Sequence, residues 1–164
     1  MIPEGARVYV VDDDVSFVRS ALRLLRSWGI AATGFTDAAQ LLAAVGGEAP
    51  ACALVDIRMP GVSGFALQDA LSRARVSLPL VFMSGHTDAE LGADALRRGA
   101  IAFLTKPVDE RRLLDAVERG LEASAGERRL LAAVERAFPA PQDGAVGAAA
   151  TPAPVPPGNR PTAA

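Results

Sequence analysis

The residues able to do chemistry in this chain gather where apolar runs end. Asp12, Asp13 and Asp14 follow Val8-Tyr9-Val10-Val11, and Asp56 follows Ala51 to Val55. Ser84 closes the run Leu78 to Met83, and Thr105-Lys106-Pro107 closes Ala100 to Leu104. Carboxylates brought together repel one another, which raises their pKa unless a cation intervenes. A hard divalent ion answers that need. Mg2+ takes oxygen ligands and keeps several waters, so one or two direct carboxylates suffice. With the mobile charge of Lys106 and the Ser84 hydroxyl beside it, such a cluster suits a dianionic phosphoryl group. Asp56 would then attack phosphorus to give an acyl phosphate, with the metal and Lys106 neutralising the equatorial oxygens during in-line transfer.

Those residues are far apart in the chain, so elements must bring them together. Arg7 to Val11, Ala31 to Phe35, Ala51 to Val55, Leu78 to Met83 and Ala100 to Leu104 read as strands. Between them, apolar residues recur at helical steps: Val18, Ala21, Leu22 and Leu25; Leu41, Leu42 and Val45; Phe65, Leu67, Ala70 and Leu71. Thr87 to Arg98 reads as a polar helix closed by Gly99, and a last helix from near Asp109 carries Leu113, Leu114, Val117 and Leu121. Asp14 and the pair Thr36-Asp37 are placed as helix N-caps. Continuous apolar strands alternating with helices imply a parallel sheet covered on both faces. With right-handed crossovers, the expected fold is an α/β doubly wound five-stranded sheet of order 2-1-3-4-5. Its ligand site lies beyond the carboxyl ends of the strands. Strands one, three, four and five would be neighbours there, so Asp12, Asp13, Asp56, Ser84 and Lys106 should converge.

Composition narrows the classes. The chain has 164 residues, half of them hydrophobic and 22% charged, and a net charge of -2. Those are globular proportions, and the balance argues against an avid nucleic-acid binder. Cys52 and His86 are the only residues of their kinds. A disulfide within the chain, a cysteine zinc cluster and a multi-histidine metal site are therefore excluded. No signal-peptide pattern opens the chain, and no apolar run approaches the roughly 20 residues that cross a bilayer. The expected location is the cytoplasm, with no membrane contact.

At this point the sequence resembles the receiver domain of two-component response regulators, the CheY-like (flavodoxin-like) fold. The residues that carry the resemblance are Val10-Val11-Asp12-Asp13, Asp56-Ile57-Arg58-Met59-Pro60-Gly61, Ser84-Gly85-His86 and Thr105-Lys106-Pro107. The stretches Phe82 to Asp88 and Ala102 to Pro107 are most similar to the FixJ-type subgroup. The resemblance implies that Asp56 is the phosphoacceptor and that Asp13 binds Mg2+ directly, Asp12 through a water. It implies that the Arg58 carbonyl is a further metal ligand and that Lys106 contacts the phosphoryl group. Ser84 would reorient toward that group, Phe103 would rotate inward with it, and the bond before Pro107 would be cis. Arg58 and His86 occupy positions that set phosphoryl lifetime in the family. The donor would be a sensor histidine kinase or phosphotransfer protein. The chain would be no enzyme apart from self-phosphorylation and autodephosphorylation.

The same resemblance makes the surface of helix 4, strand 5 and helix 5 a homodimer and output face, here including Asp94, Arg97, Arg98, Arg111, Arg112 and Asp115. The expected domains are a receiver over 6–122, a linker helix over 123–138 and a disordered Pro/Ala-rich tail over 139–164. Leu130, Leu131, Val134 and Phe138 have helical spacing, but Gly120 and Gly126 argue for a frayed segment over a continuous helix. No pattern for a helix-turn-helix follows Glu122, so direct DNA binding by this chain is not expected. Three rivals remain at this stage. One is a docking module of the same fold that is never phosphorylated. Another is a Mg2+-dependent phosphohydrolase using Asp12 and Asp14 as an Asp-x-Asp pair. The third is a flavin-binding protein, which the acidic strand ends disfavour.

Overall fold

The structure, a computed structural model, describes residues 1–85 and 89–141. The elements run β1 (Arg7–Val11), α1 (Val15–Ser27), β2 (Ala31–Phe35), α2 (Ala38–Ala44), β3 (Ala51–Asp56), α3 (Gly64–Arg73), β4 (Leu80–Ser84), α4 (Ala89–Arg97), β5 (Ala102–Thr105) and α5 (Glu110–Ala137). All strand pairs are parallel and the order is β2-β1-β3-β4-β5. The doubly wound topology expected from the sequence is the one observed. Among the described residues, no helix is long and apolar enough to cross a membrane.

The pleat divides the core in two, because successive strand residues face opposite sides of the sheet. Val8, Val10, Cys52, Leu54, Val81 and Met83 pack under α1 and α5. Tyr9, Val11, Ala53, Val55, Leu80 and Phe82 pack on the other face with Leu41, Leu67 and Leu71 of α2 and α3. Helix starts follow from side-chain caps. Asp14 Oδ1 accepts from the Ser16 and Phe17 amides, and Asp37, Ser63 and Asp109 cap α2, α3 and α5. Each cap satisfies amides that have no intrahelical partner.

Among the described residues, three boundaries differ from expectation by two residues or more. β4 begins at Leu80, because Pro79 has no amide to give the ladder and contributes only its carbonyl, to the Ala53 amide at 3.0 Å. β5 begins at Ala102, because the Ala100 amide is drawn back to the Ala95 carbonyl of α4 at 3.0 Å. The third difference is larger: α5 does not break at its glycines and continues to Ala137. At Gly120 a Cβ would come within 3.0 Å of Cys52 Cβ and 3.3 Å of its Sγ. The missing side chain lets helix and sheet approach closely, and that contact offsets the poor helix propensity of glycine. One turn on, Ser124 Oγ accepts from the Ala51 amide at 3.1 Å. The start of the predicted α4 at Thr87-Asp88 and the predicted disorder of 142–164 lie outside the described residues.

Cys52 sits at the middle of this seam with no exposed surface. Burial pushes its thiol up to about 12 from an ordinary 9.0. Between those values the unfolded chain loses the proton and the folded one keeps it. Stability carried by this group should therefore fall as pH rises above 9.0. The expected slope is about 1.4 kcal/mol per pH unit. Urea melts at alkaline pH should show this slope for the native chain and lose it in Cys52→Ala. At neutral pH, a thiol reagent should label Cys52 only after denaturant is added.

Candidate functional site

Register sets the site. Val11 of β1 pairs with Val55 of β3, so Asp12 and Asp56 end neighbouring strands at one height. Both are buried, and Asp13, the next residue along, is exposed. Carboxylate oxygens of Asp12, Asp13 and Asp56 lie within 4.8 Å of one another. From the far side of the sheet, Lys106 follows β5 and donates through Nζ to Asp12 Oδ2 and, at 3.3 Å, to Asp56 Oδ2. Four of the predicted residues are thus brought together from three strand ends.

The backbone aims the carboxylates. Asp12 Oδ1 accepts from the Asp14 amide at 2.9 Å, and Asp56 Oδ1 from the Arg58 amide at 3.0 Å. In each case one oxygen is held by the turn and the other faces Lys106. The turn after Asp56 folds back tightly enough that its glycine matters. A Cβ on Gly64 would come within 2.9 Å of Phe82 and 3.1 Å of the Asp56 carbonyl. Asp14, by contrast, is committed to capping α1.

Burial alone pulls the Lys106 ammonium toward neutrality. The hydrogen bond and charge of Asp12, joined by the charge and hydrogen bond of Asp56, outweigh it, and the net shift is upward. Lys106 therefore stays cationic through the whole physiological range. Its Nζ also stands 4.3 Å from the centre of the Phe17 ring, a favourable cation–π placement. Phe17 is the site residue that sequence reasoning missed. Its only signal is its place in the first turn of the helix that Asp14 caps.

Among the described residues, the cluster sets the three carboxylates of Asp12, Asp13 and Asp56 against the Lys106 ammonium on two of them, an excess of two negative charges. That excess, in a donor set made of oxygens, fits a divalent hard cation. Asp12 and Asp56 supply buried oxygens and Asp13 an exposed one.

Ser84 is fully buried at the end of β4, opposite Thr105 in register. Its carbonyl accepts from the Lys106 amide at 2.7 Å, which ties serine and lysine together through the backbone. Phe103 is half-buried and lies against α4, where a Cβ on Gly92 would come within 3.1 Å of its ring. The Lys106–Pro107 bond is cis, as the resemblance implies. Arg58 is exposed on the loop after Asp56. His86 lies outside the described residues. On the surface formed by α4, β5 and α5, Arg111, Arg112 and Asp115 line a groove with Leu96, Ile101 and Phe103. Arg97 pairs with Asp94. Arg98 corrects the expectation: it leaves this face for α3. Its guanidinium lies 3.4 Å from Asp69 and 4.7 Å from the centre of the Phe65 ring.

With no divalent ion added, Lys106→Met should cost about 2 kcal/mol in a urea melt, since it leaves Asp12 buried without its counter-charge. Adding Asp12→Asn to that variant should restore most of the loss. A double variant no more stable than the single one would mean that the pair does not couple.

Comparison with known proteins agrees with the geometry. The family described as response regulator receiver domain matches residues 8–118. Nodulation protein W of Bradyrhizobium diazoefficiens is 38% identical over 117 residues, which cover 71% of this chain and 52% of that protein. The transcriptional regulatory protein FixJ of Azorhizobium caulinodans is 38% identical over 124 residues, 76% of this chain and 59% of that one. Among solved structures, the response regulator StyR superposes with a TM-score of 0.75 at 38% identity, over 80% of this chain and 66% of that one. The chain spans about half the length of the curated relatives it matches.

Proposed function

We propose, from the premise that the chain belongs to the response regulator receiver family, that it is a phosphorylatable switch whose acceptor is Asp56. The observation that carries this reading is the meeting of Asp12, Asp13 and Asp56 within 4.8 Å, with Lys106 on the two buried carboxylates. The donor is a phosphohistidine on a sensor histidine kinase or phosphotransfer protein. An Asp56 carboxylate oxygen forms the new bond to phosphorus as the bond from phosphorus to the donor's nitrogen breaks, and the imidazole departs with its electron pair. Asp12, Asp13, Asp56 and the Arg58 carbonyl are the groups that would hold Mg2+, Asp12 through a water. A bound Mg2+ supplies charge neutralisation to the phosphoryl oxygens.

The remaining work belongs to the chain. Lys106 transfers its hydrogen bond from the Asp56 carboxylate to a phosphoryl oxygen, staying paired with Asp12. Ser84 donates its hydroxyl to another phosphoryl oxygen, and Phe103 turns inward with it, biasing the α4, β5 and α5 surface between two states. That surface is the proposed output and homodimer face. Arg58, beside the acceptor on an exposed loop, screens the phosphoryl group from water, and His86 occupies the other position that tunes its lifetime.

The chain acts on itself, by taking up and slowly losing the phosphoryl group, and turns over no separate substrate. The receiver is assigned to residues 6–122, its connection to 123–138 and a Pro/Ala-rich tail to 139–164. A cytoplasmic location completes the reading. The capping role of Asp14 speaks against the Asp-x-Asp phosphohydrolase, because its carboxylate is already spent on two amides.

Incubation with a small acyl phosphate and Mg2+, read by intact mass, tests the proposal. The native chain should gain one phosphoryl group, Asp56→Asn none, and chelation should abolish the gain. No gain by the native chain would indicate a docking module, and steady release of phosphate from esters a hydrolase. In a decay assay of the phosphorylated chain, Arg58→Ala should lose the group severalfold faster. An unchanged rate removes Arg58 from the lifetime argument.

A further inference from the structure

The far end of α5 presents a surface that the phosphorylation reading does not use. Leu113, Val117, Gly120 and Ser124 repeat at alternating steps of four and three along one stripe of the helix, and all four are buried against the sheet. The same stripe continues through Glu127 to Leu131, Val134 and Phe138. There the sheet has ended. Leu131, Val134 and Phe138 are exposed, as is Leu130 beside them, and Phe138 is 79% exposed. An alternating three-four repeat of this kind suits a sheet where one is present, as in the first half of α5, and a second helix where none is.

Beside Leu131 opens a cavity of about 240 Å3 at the foot of the sheet, lined in part by Tyr9, Val45, Val76 and Leu78. Arg128 forms part of its wall, and its Nε is buried with no hydrogen-bond partner. A buried donor without an acceptor is uncommon in a folded chain, and this one is open to an acceptor from outside it. The cavity has room for a phenyl ring. Phe138 of the same chain cannot reach it, being seven residues further along a straight helix, or about 10 Å.

We propose that two copies of this chain pair through the ends of their α5 helices, antiparallel, each inserting Phe138 into the other's cavity. Setting Leu131 against the partner's Val134 places Phe138 level with the partner's Glu127, at the cavity mouth. The same register brings Arg128 within side-chain reach of the partner's Glu135, so a carboxylate meets the unpartnered guanidinium on both sides of a twofold axis. Such an interface is self-complementary and closes at two copies. In a parallel pair, Arg128 would face the partner's Ala123 and the charge match would be lost. Residues 139–164 are poor occupants, since their only branched aliphatic side chains are Val146 and Val155.

A seam of two turns is smaller than the roughly 1,200 Å2 of a stable complex. Two inserted rings add about 150–250 Å2 each, so the dimer should be reversible, with Kd of roughly 1–100 μM. The contact needs no phosphoryl group and is independent of Asp56.

Sedimentation velocity of the unphosphorylated full chain across a concentration series tests this. The expected result is a monomer–dimer equilibrium, with Kd raised about tenfold or more by Phe138→Ala, a substitution at an exposed position. Glu135→Arg should weaken the dimer, and Arg128→Glu added to Glu135→Arg should restore it, which a parallel pair would not do. A monomer at about 0.5 mM overturns the proposal. So does a dimer that neither Phe138→Ala nor Glu135→Arg affects, since it forms through another face. Dimers that appear only when residues 142–164 are removed would assign the stripe to the chain's own tail and also overturn it.

Discussion

Everything at the carboxyl edge of the sheet follows from burying two carboxylates, Asp12 and Asp56, on adjacent strands with one ammonium between them. Two such charges so close repel one another strongly in a dry interior. Lys106 makes the arrangement tenable, and the backbone amides of Asp14 and Arg58 hold one oxygen of each acid in place. Among the described residues the compensation is incomplete, because Asp13 adds a third negative charge. The fold thus maintains an electrostatic deficit at one point, and a divalent cation or a rearranged Lys106 can answer it. A site that is fully satisfied at rest would gain little from either.

The scaffold makes that deficit affordable by keeping it at the rim. Val10, Val11, Leu54, Val55, Phe82 and Met83 lie immediately beneath and are closed to solvent. Parallel register forces the strand ends to the same side, so the acids and the lysine meet without any one loop having to deliver them all. Caps do the remaining local work: Asp14 starts α1, which carries Phe17 to Lys106, and Ser63 starts α3 beyond the turn that aims Asp56.

The sheet order, the convergence of Asp12, Asp13, Asp56 and Lys106, and the capping role of Asp14 were legible in the sequence, because each depends on strand ends and alternation that leave clear marks. What escaped depended on contacts between distant residues. Gly120 reads as a helix breaker until its approach to Cys52 is seen. Arg98 reads as part of the α4 surface until Asp69 and the Phe65 ring draw it to α3. Phe17 carries no mark of its partnership with Lys106, which lies on another element. Strand starts shifted where hydrogen bonding, rather than hydrophobicity, decides them: Leu78 is buried yet lies ahead of β4, because Pro79 interrupts the ladder.

The continuity of α5 has a mechanical consequence. Its first half is fixed to β3 and β4 by Leu113, Val117, Leu121 and the Ser124 hydrogen bond to Ala51. Its second half leaves the sheet as a direct extension of that anchored rod, so Leu131, Val134 and Phe138 are held in a defined direction. Presenting them costs little further conformational entropy, whereas a frayed linker would have to be ordered on contact. The helix also runs from Asp109, close to Lys106, to the opposite end of the sheet, about 40 Å in all. Contacts made at its far end are therefore remote from the acidic cluster. They can influence that cluster only if the two ends favour different states of the same helix, and any such coupling must act equally in both directions. An antiparallel pair would point the two acidic edges away from each other and leave both open to a phosphodonor, so association at the foot of the sheet and chemistry at its rim are sterically compatible.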